Sequence, residues 1–190
     1  MKLAVLICSI LFLISCSSTP LSGKVDLSNK RYTSPDEEFE IDLPNIPTPL
    51  VMDNASSSKV TAEFVIDPGY WTPYGLHSIE LLKNKKTLSL AEFKDSIKAI
   101  FYRHLKDRFS VDGDFSLVEQ ATGEDNESYV FLASGVYKGI PSSWICTIKW
   151  HTDGIAFVSK IIPKNNHRPI NKIGQNTQSY MSWVSSLRIK

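Results

Sequence analysis

Apolar and polar positions alternate with period two along much of this chain, and follow a 3.6-residue period in two stretches. Phe39, Ile41 and Leu43 alternate with Glu40 and Asp42, and Pro44 ends the run, as expected of a half-buried strand. Pro47 and Pro49 break the stretch that follows. Lys59 to Ile66 reads as a second strand, with Val60, Ala62, Phe64 and Ile66 on one face. Asp67-Pro68-Gly69 reads as a turn and His77 to Leu82 as a third strand. Leu90 to Phe109 carries the strongest helical pattern. Leu90, Phe93, Ile97, Ile100, Phe101, Leu105 and Phe109 form one stripe, and Ser89 with Glu92 fits a capping box. Lys106 and Arg108 suit the negative end of that helix.

Four strands follow in series: Phe115 to Gln120, Tyr129 to Tyr137, Ser143 to His151 and Ile155 to Ile162. Their links are short, and Asp153-Gly154 is a hairpin dipeptide, so neighbouring strands must pair antiparallel. A final helix is expected from about Lys172 to Leu187, with Ile173, Tyr180, Val184 and Leu187 on one face. Two amphipathic helices and an antiparallel sheet predict an α+β sandwich, the sheet held between helices. No internal repeat and no second domain boundary is visible, so residues 37–190 read as a single domain.

The amino terminus has a different pattern. After Lys2, residues 3–14 are apolar except for Ser9, a run matching a signal-peptide core and too short to span a bilayer. Leu13-Ile14-Ser15-Cys16 resembles the lipobox of bacterial lipoproteins. The resemblance implies cleavage before Cys16 and acylation of its thiol, palmitate included, with membrane attachment through the lipid. Two or more acyl chains anchor stably where one is marginal. Ser17 follows the lipid site where Asp would signal inner-membrane retention, which favours the outer membrane, facing the periplasm. Residues 16–36, with Ser, Thr, Pro, Gly and Asn and no sustained apolar period, read as a flexible tether.

Charge and cysteine content narrow the function classes. The chain has 21 basic and 20 acidic residues, and loss of Lys2 with the signal peptide balances them at 20 each. Such balance argues against a nucleic-acid partner and against electrostatic membrane binding. Of three cysteines, Cys8 leaves with the signal peptide and Cys16 is acylated, so Cys146 has no disulfide partner. Period two places Cys146 with Trp144, Ile148 and Trp150 on one apolar face, where a thiol acts as a small hydrophobe.

Catalytic and metal signals are weak. His77, His104, His151 and His167 show no metal-ligand spacing and read as surface or edge histidines. No nucleophile elbow, phosphate-cradling loop or cofactor motif is present, so catalytic residues, metal and cofactor are all expected to be none. Lys83, Lys85 and Lys86 read as a solvated turn. Tyr70-Trp71-Thr72-Pro73-Tyr74-Gly75 places three aromatics in a loop, either capping the core or forming a partner-binding surface through Tyr70, Trp71 and Tyr74.

The run Tyr32-Thr33-Ser34-Pro35, then Phe39-Glu40-Ile41-Asp42-Leu43-Pro44, resembles the opening of the PsbP-like fold. The order of elements across residues 32–190 is similar too, ending near Trp183-Val184-Ser185-Ser186-Leu187. The resemblance implies a bacterial lipoprotein with a PsbP-like, DcrB-like domain in a non-catalytic binding or assembly role. It brings no partner-binding residue with it. An envelope hydrolase, or a carrier holding an apolar ligand in a dry cavity lined by Phe93 and Trp144, are the alternatives.

Overall fold

The computed structural model describes residues 22–47, 49–65, 75–83, 88–109, 115–123, 125–137, 139–163, 173 and 177–190. Cys16, Tyr70, Trp71, Tyr74 and His167 lie outside them, so the lipid site and the aromatic loop have no structural description.

Eleven strands and two helices are described. The strands are β1 (Lys24–Asp26), β2 (Arg31–Thr33), β3 (Phe39–Asp42), β4 (Leu50–Ala55), β5 (Lys59–Val65), β6 (Leu76–Lys83), β7 (Ser116–Thr122), β8 (Ser128–Tyr137), β9 (Ile140–His151), β10 (Gly154–Pro163) and β11 (Arg188–Ile189). The helices, here α1 (Leu90–Phe109) and α2 (Gln178–Ser185), fall after β6 and after β10. Seven strands form one sheet in the order β4-β5-β6-β10-β9-β8-β7, and four short ones form another, β1-β2-β3-β11. All pairings are antiparallel, as the short links require.

Helix α1 covers one face of the large sheet. Phe93, Ile97, Phe101 and Leu105, one stripe at helical spacing, are buried against Phe131, Trp144, Cys146, Ile148 and Phe157. Phe101 stacks on Phe131 at 4.2 Å between ring centres. The capping box forms: the Ser89 N–H and hydroxyl both donate to Glu92 Oε2 at 2.8 Å, and the Glu92 N–H returns to Ser89 Oγ at 3.3 Å. The Trp150 indole N–H donates to Leu88 O at 2.8 Å and fixes where the helix starts. Phe93 and Trp144 are both fully buried in this packed layer.

The other face corrects the simple sandwich. It is covered mainly by the four-stranded sheet, with α2 at its edge. Tyr32, Phe39 and Ile41 pack with Val60, Ala62, Phe64, Ile79, Val158, Tyr180 and Trp183. Helix α2 spans only Gln178–Ser185, and Arg188–Ile189 pairs with β3 where helix was expected to have just ended. Tyr180 and Trp183 hold it down. The Tyr180 hydroxyl lies 2.6 Å from Val158 O and 2.9 Å from Thr147 Oγ1, and the Trp183 indole donates to Asp42 O at 2.7 Å.

The expected tether is shorter than its composition implied. Strands β1 and β2 lie inside it. The Tyr32 ring is fully buried, edge-on to Phe64 at 5.4 Å, and its hydroxyl donates to Asp53 Oδ2 at 2.9 Å. The Gly23 N–H donates to the same oxygen at 2.7 Å, so the chain is tied down from Gly23 onward. The Tyr–Ser–Phe opening also has a physical reading. Ser34 accepts the Phe39 N–H through Oγ at 3.1 Å and donates its own N–H to Phe39 O at 3.0 Å. That closes a turn in which Glu37 takes a positive φ of 57°.

Strand β4 is an addition to the sequence reading. It is an edge strand with Leu50 and Met52 exposed, so its pattern does not alternate by polarity. The β9–β10 hairpin closes with His151 opposite Gly154 and with Thr152 and Asp153 in the turn. Gly154 is required for another reason: a Cβ there would run into the Leu82 carbonyl of β6.

Candidate binding cleft between helix α1 and the sheet

Helix α1 leaves part of the large sheet uncovered on the β5–β6 side. A cleft of about 530 Å³ opens there. Leu82, Leu88, Ile100, Ile155 and Phe157 make its apolar lining, and Lys59, Lys83, Arg103 and Asp107 stand around it. That volume lies in the range of small-molecule sites, which combine apolar walls with a few placed polar groups.

The placed groups are Glu80 and His104. Glu80 sits in β6, where period two sends His77, Ile79 and Leu81 to one face and Ser78, Glu80 and Leu82 to the other. His104 lies one turn beyond Phe101, at the margin of the α1 stripe, and so faces β6. Both are buried, at 7% and 6% exposure. His104 Nδ1 is 3.7 Å from Glu80 Oε1, and Lys59 Nζ is 3.6 Å from Glu80 Oε2. The imidazole lies flat on Phe157, with centroids 3.9 Å apart and planes at 15°. A carboxylate facing one ring nitrogen orients the imidazole, while Lys59 stands beside the other carboxylate oxygen. The arrangement places a carboxylate and an imidazole at the cleft floor, where both can offer hydrogen bonds to whatever enters.

These two residues correct the sequence reading of the histidines. His104 and His77 are buried; His151, at the β9–β10 hairpin, is half-buried. Glu80 does not stand out in the sequence, because a lone acid in Ser78-Ile79-Glu80-Leu81-Leu82 looks like the polar side of a half-exposed strand. The available signal was that β6 has apolar residues at both parities in Leu81-Leu82, which marks a strand covered on both faces. Lys83 is likewise tied: its ammonium pairs with Asp36 at 3.2 Å and Glu38 at 2.8 Å, joining the two sheets. Lys85 and Lys86 are outside the described residues.

Cys146 is sealed beneath α1, fully buried, and burial pushes its thiol up to about 12. That is the opposite of an activated nucleophile, in line with its reading as a packing residue. Among the described residues no group of three His, Cys, Asp or Glu side chains is placed to hold a metal, and no helix is long and apolar enough to cross a membrane.

No family model and no curated protein matches the chain. Solved structures do. The solution structure of cyanobacterial PsbP from Synechocystis sp. PCC 6803 superposes with a TM-score of 0.58 at 12% identity, covering 93% of this chain and 98% of that one. The Ran-binding protein Mog1p of Saccharomyces cerevisiae follows with a TM-score of 0.49 at 10% identity, covering 85% and 95%. The architecture is therefore that of a PsbP-like fold, an antiparallel β assembly with two helices. At such identity the likeness concerns the fold alone.

Proposed function

We propose that this chain is a lipid-anchored cell-envelope protein whose PsbP-like domain is a non-catalytic binding or assembly module. The anchor is Cys16, in the outer membrane facing the periplasm, and the α1 cleft is where the domain meets its partner or ligand. The cleft carries the binding half of this reading: an apolar-lined concavity of about 530 Å³ with the buried Glu80–His104 pair at its floor. The lipobox-like Leu13-Ile14-Ser15-Cys16 carries the anchoring half.

Two measurements test the halves separately. Mass spectrometry of the membrane fraction is expected to find acylated Cys16 as the mature N-terminus, and Cys16→Ala is expected to release the domain. Unchanged partitioning of that variant sinks the anchor. For the cleft, a photo-crosslinking residue replaces Arg103 at the rim, with Val118 on the far edge strand as control. A defined adduct from position 103, absent from position 118 and lost with Lys59→Glu, is expected. Equal capture from both positions refutes the cleft.

A second reading is favoured by one observation. A carboxylate–imidazole pair at the floor of an open cleft is the arrangement of a general base, which fits an envelope hydrolase using water. His104→Gln separates the two: a hydrolase loses turnover, whereas a binding module keeps its adduct.

A further inference from the structure

The sheet face away from α1 carries a second polar pair, unrelated to the cleft. One cross-strand row crosses all seven strands: Val51, Phe64, His77, Lys160, Ile145, Leu132 and Glu119. Phe64, Ile145 and Leu132 are fully buried core residues, and Val51 packs against them. In the middle of this row, His77 and Lys160 stand directly opposite each other.

His77 is 4% exposed, and its ring meets Trp183 edge-on, with centroids at 5.2 Å. Its Nδ1 is buried and has no hydrogen-bond partner. Lys160 is partly buried and is the member of the pair that reaches solvent. No described carboxylate pairs with it. Glu119, the acid of the same row, is three strands away, about 14 Å at the usual strand spacing, and its Oε2 accepts the Ile173 N–H at 2.6 Å. Glu63 and Glu80 lie at the opposite parity of β5 and β6 and face the other side of the sheet. Asp53, the remaining acid on this side of the neighbouring strands, accepts from Tyr32 and Gly23.

Two nitrogen-bearing groups buried side by side without a counter-charge are costly to keep charged. Burial, and then the charge of Lys160, depresses His77 to about 3; burial also lowers Lys160. An ammonium beside an imidazole repels a metal cation and attracts an anion. An oxyanion between them would accept from the orphaned Nδ1 and from the ammonium at once, forming charge-assisted hydrogen bonds. The pair lies near the start of β6 and the end of β10.

We propose that His77 and Lys160 form a binding site for a single oxyanion group, a carboxylate or a phosphate, walled by Trp183. This site stands or falls independently of the α1 cleft. The test uses the full domain with isotope-labelled histidine, titrated with inorganic phosphate and with trifluoroacetate, a carboxylate that stays ionised where His77 titrates, against chloride at matched ionic strength. Saturating anion is expected to raise the His77 pKa by about one unit or more, because the anion binds the protonated ring. Affinity therefore grows as pH falls. Lys160→Gln is expected to weaken the response about tenfold and Lys160→Arg to retain it. A response to phosphate alone assigns a phosphate site; responses to both assign a general oxyanion site. His77 resonances unmoved by either anion overturn the proposal, as does an equal response in wild type and Lys160→Gln. The wild-type titration decides even where a variant fails to fold.

Discussion

Replacing Tyr180 by Phe removes one oxygen from the most buried contact of helix α2. Tyr180 is 2% exposed, and both neighbours of its hydroxyl, Thr147 and Val158, are buried. The proton goes to Val158 O at 2.6 Å, and the Thr147 hydroxyl returns one at 2.9 Å. Phenylalanine keeps the ring in place, so the cavity left is no larger than the oxygen. The loss is then two buried hydrogen bonds, each worth about 0.5–1.5 kcal/mol net, or about 1–3 kcal/mol together. For a domain of this size about 2 kcal/mol lowers the melting temperature by about 4–8 °C. Urea unfolding should show a lower midpoint at unchanged slope, since the exposed surface is the same. Thr147→Val supplies the control, because the double variant should cost less than the sum of the singles. A Tyr180→Phe loss below about 0.5 kcal/mol, or strict additivity with Thr147→Val, refutes the idea that this hydroxyl pins α2 to the sheet.

Two further outcomes follow from burial and charge. In a Cys8→Ser, Cys16→Ser variant, Cys146 should react with a thiol reagent only on the timescale of unfolding and fully in denaturant; prompt labelling of the native protein contradicts its placement under α1. Asp125 closes the β7–β8 turn, accepting from the Glu127 N–H and Ser128 N–H at 3.0 Å each and from Ser128 Oγ at 2.8 Å. Burial alone would raise its carboxyl, but these bonds and Lys149 hold it below its ordinary value. A depressed carboxyl stabilises the fold above the unfolded-state pKa of 3.8 and loses that contribution as pH falls through the folded one. Asp125→Asn should therefore be less stable than wild type near neutrality and converge with it in acid; a gap independent of pH refutes this.

Legibility in the sequence tracked the length of each element. Helix α1 was readable because twenty residues of stripe and a capping box agree with each other. The long strands β8, β9 and β10 were readable from alternation and short links. Strands β1, β2 and β11 have two or three residues each, too few to show a period, and exist because Tyr32, Phe39 and Trp183 bury against the large sheet. The Glu80–His104 pair joins residues of one strand and one helix whose facing depends on packing, which residue spacing does not encode. The same holds for His77 and Lys160, which meet only through the register of β6 and β10.

The bond from Gly23 to Asp53 fixes a length. With a lipid on Cys16, as proposed, only seven links separate the anchor from the Gly23 contact. Seven links fully extended reach about 25 Å, where a free segment to residue 36 would reach about 70 Å. The domain would then ride close against the bilayer, unable to search the depth of the periplasm. A partner would have to come to the membrane surface to be met. Breaking the Asp53 contact, by Asp53→Ala, would pay out more line and widen the zone the domain can sweep.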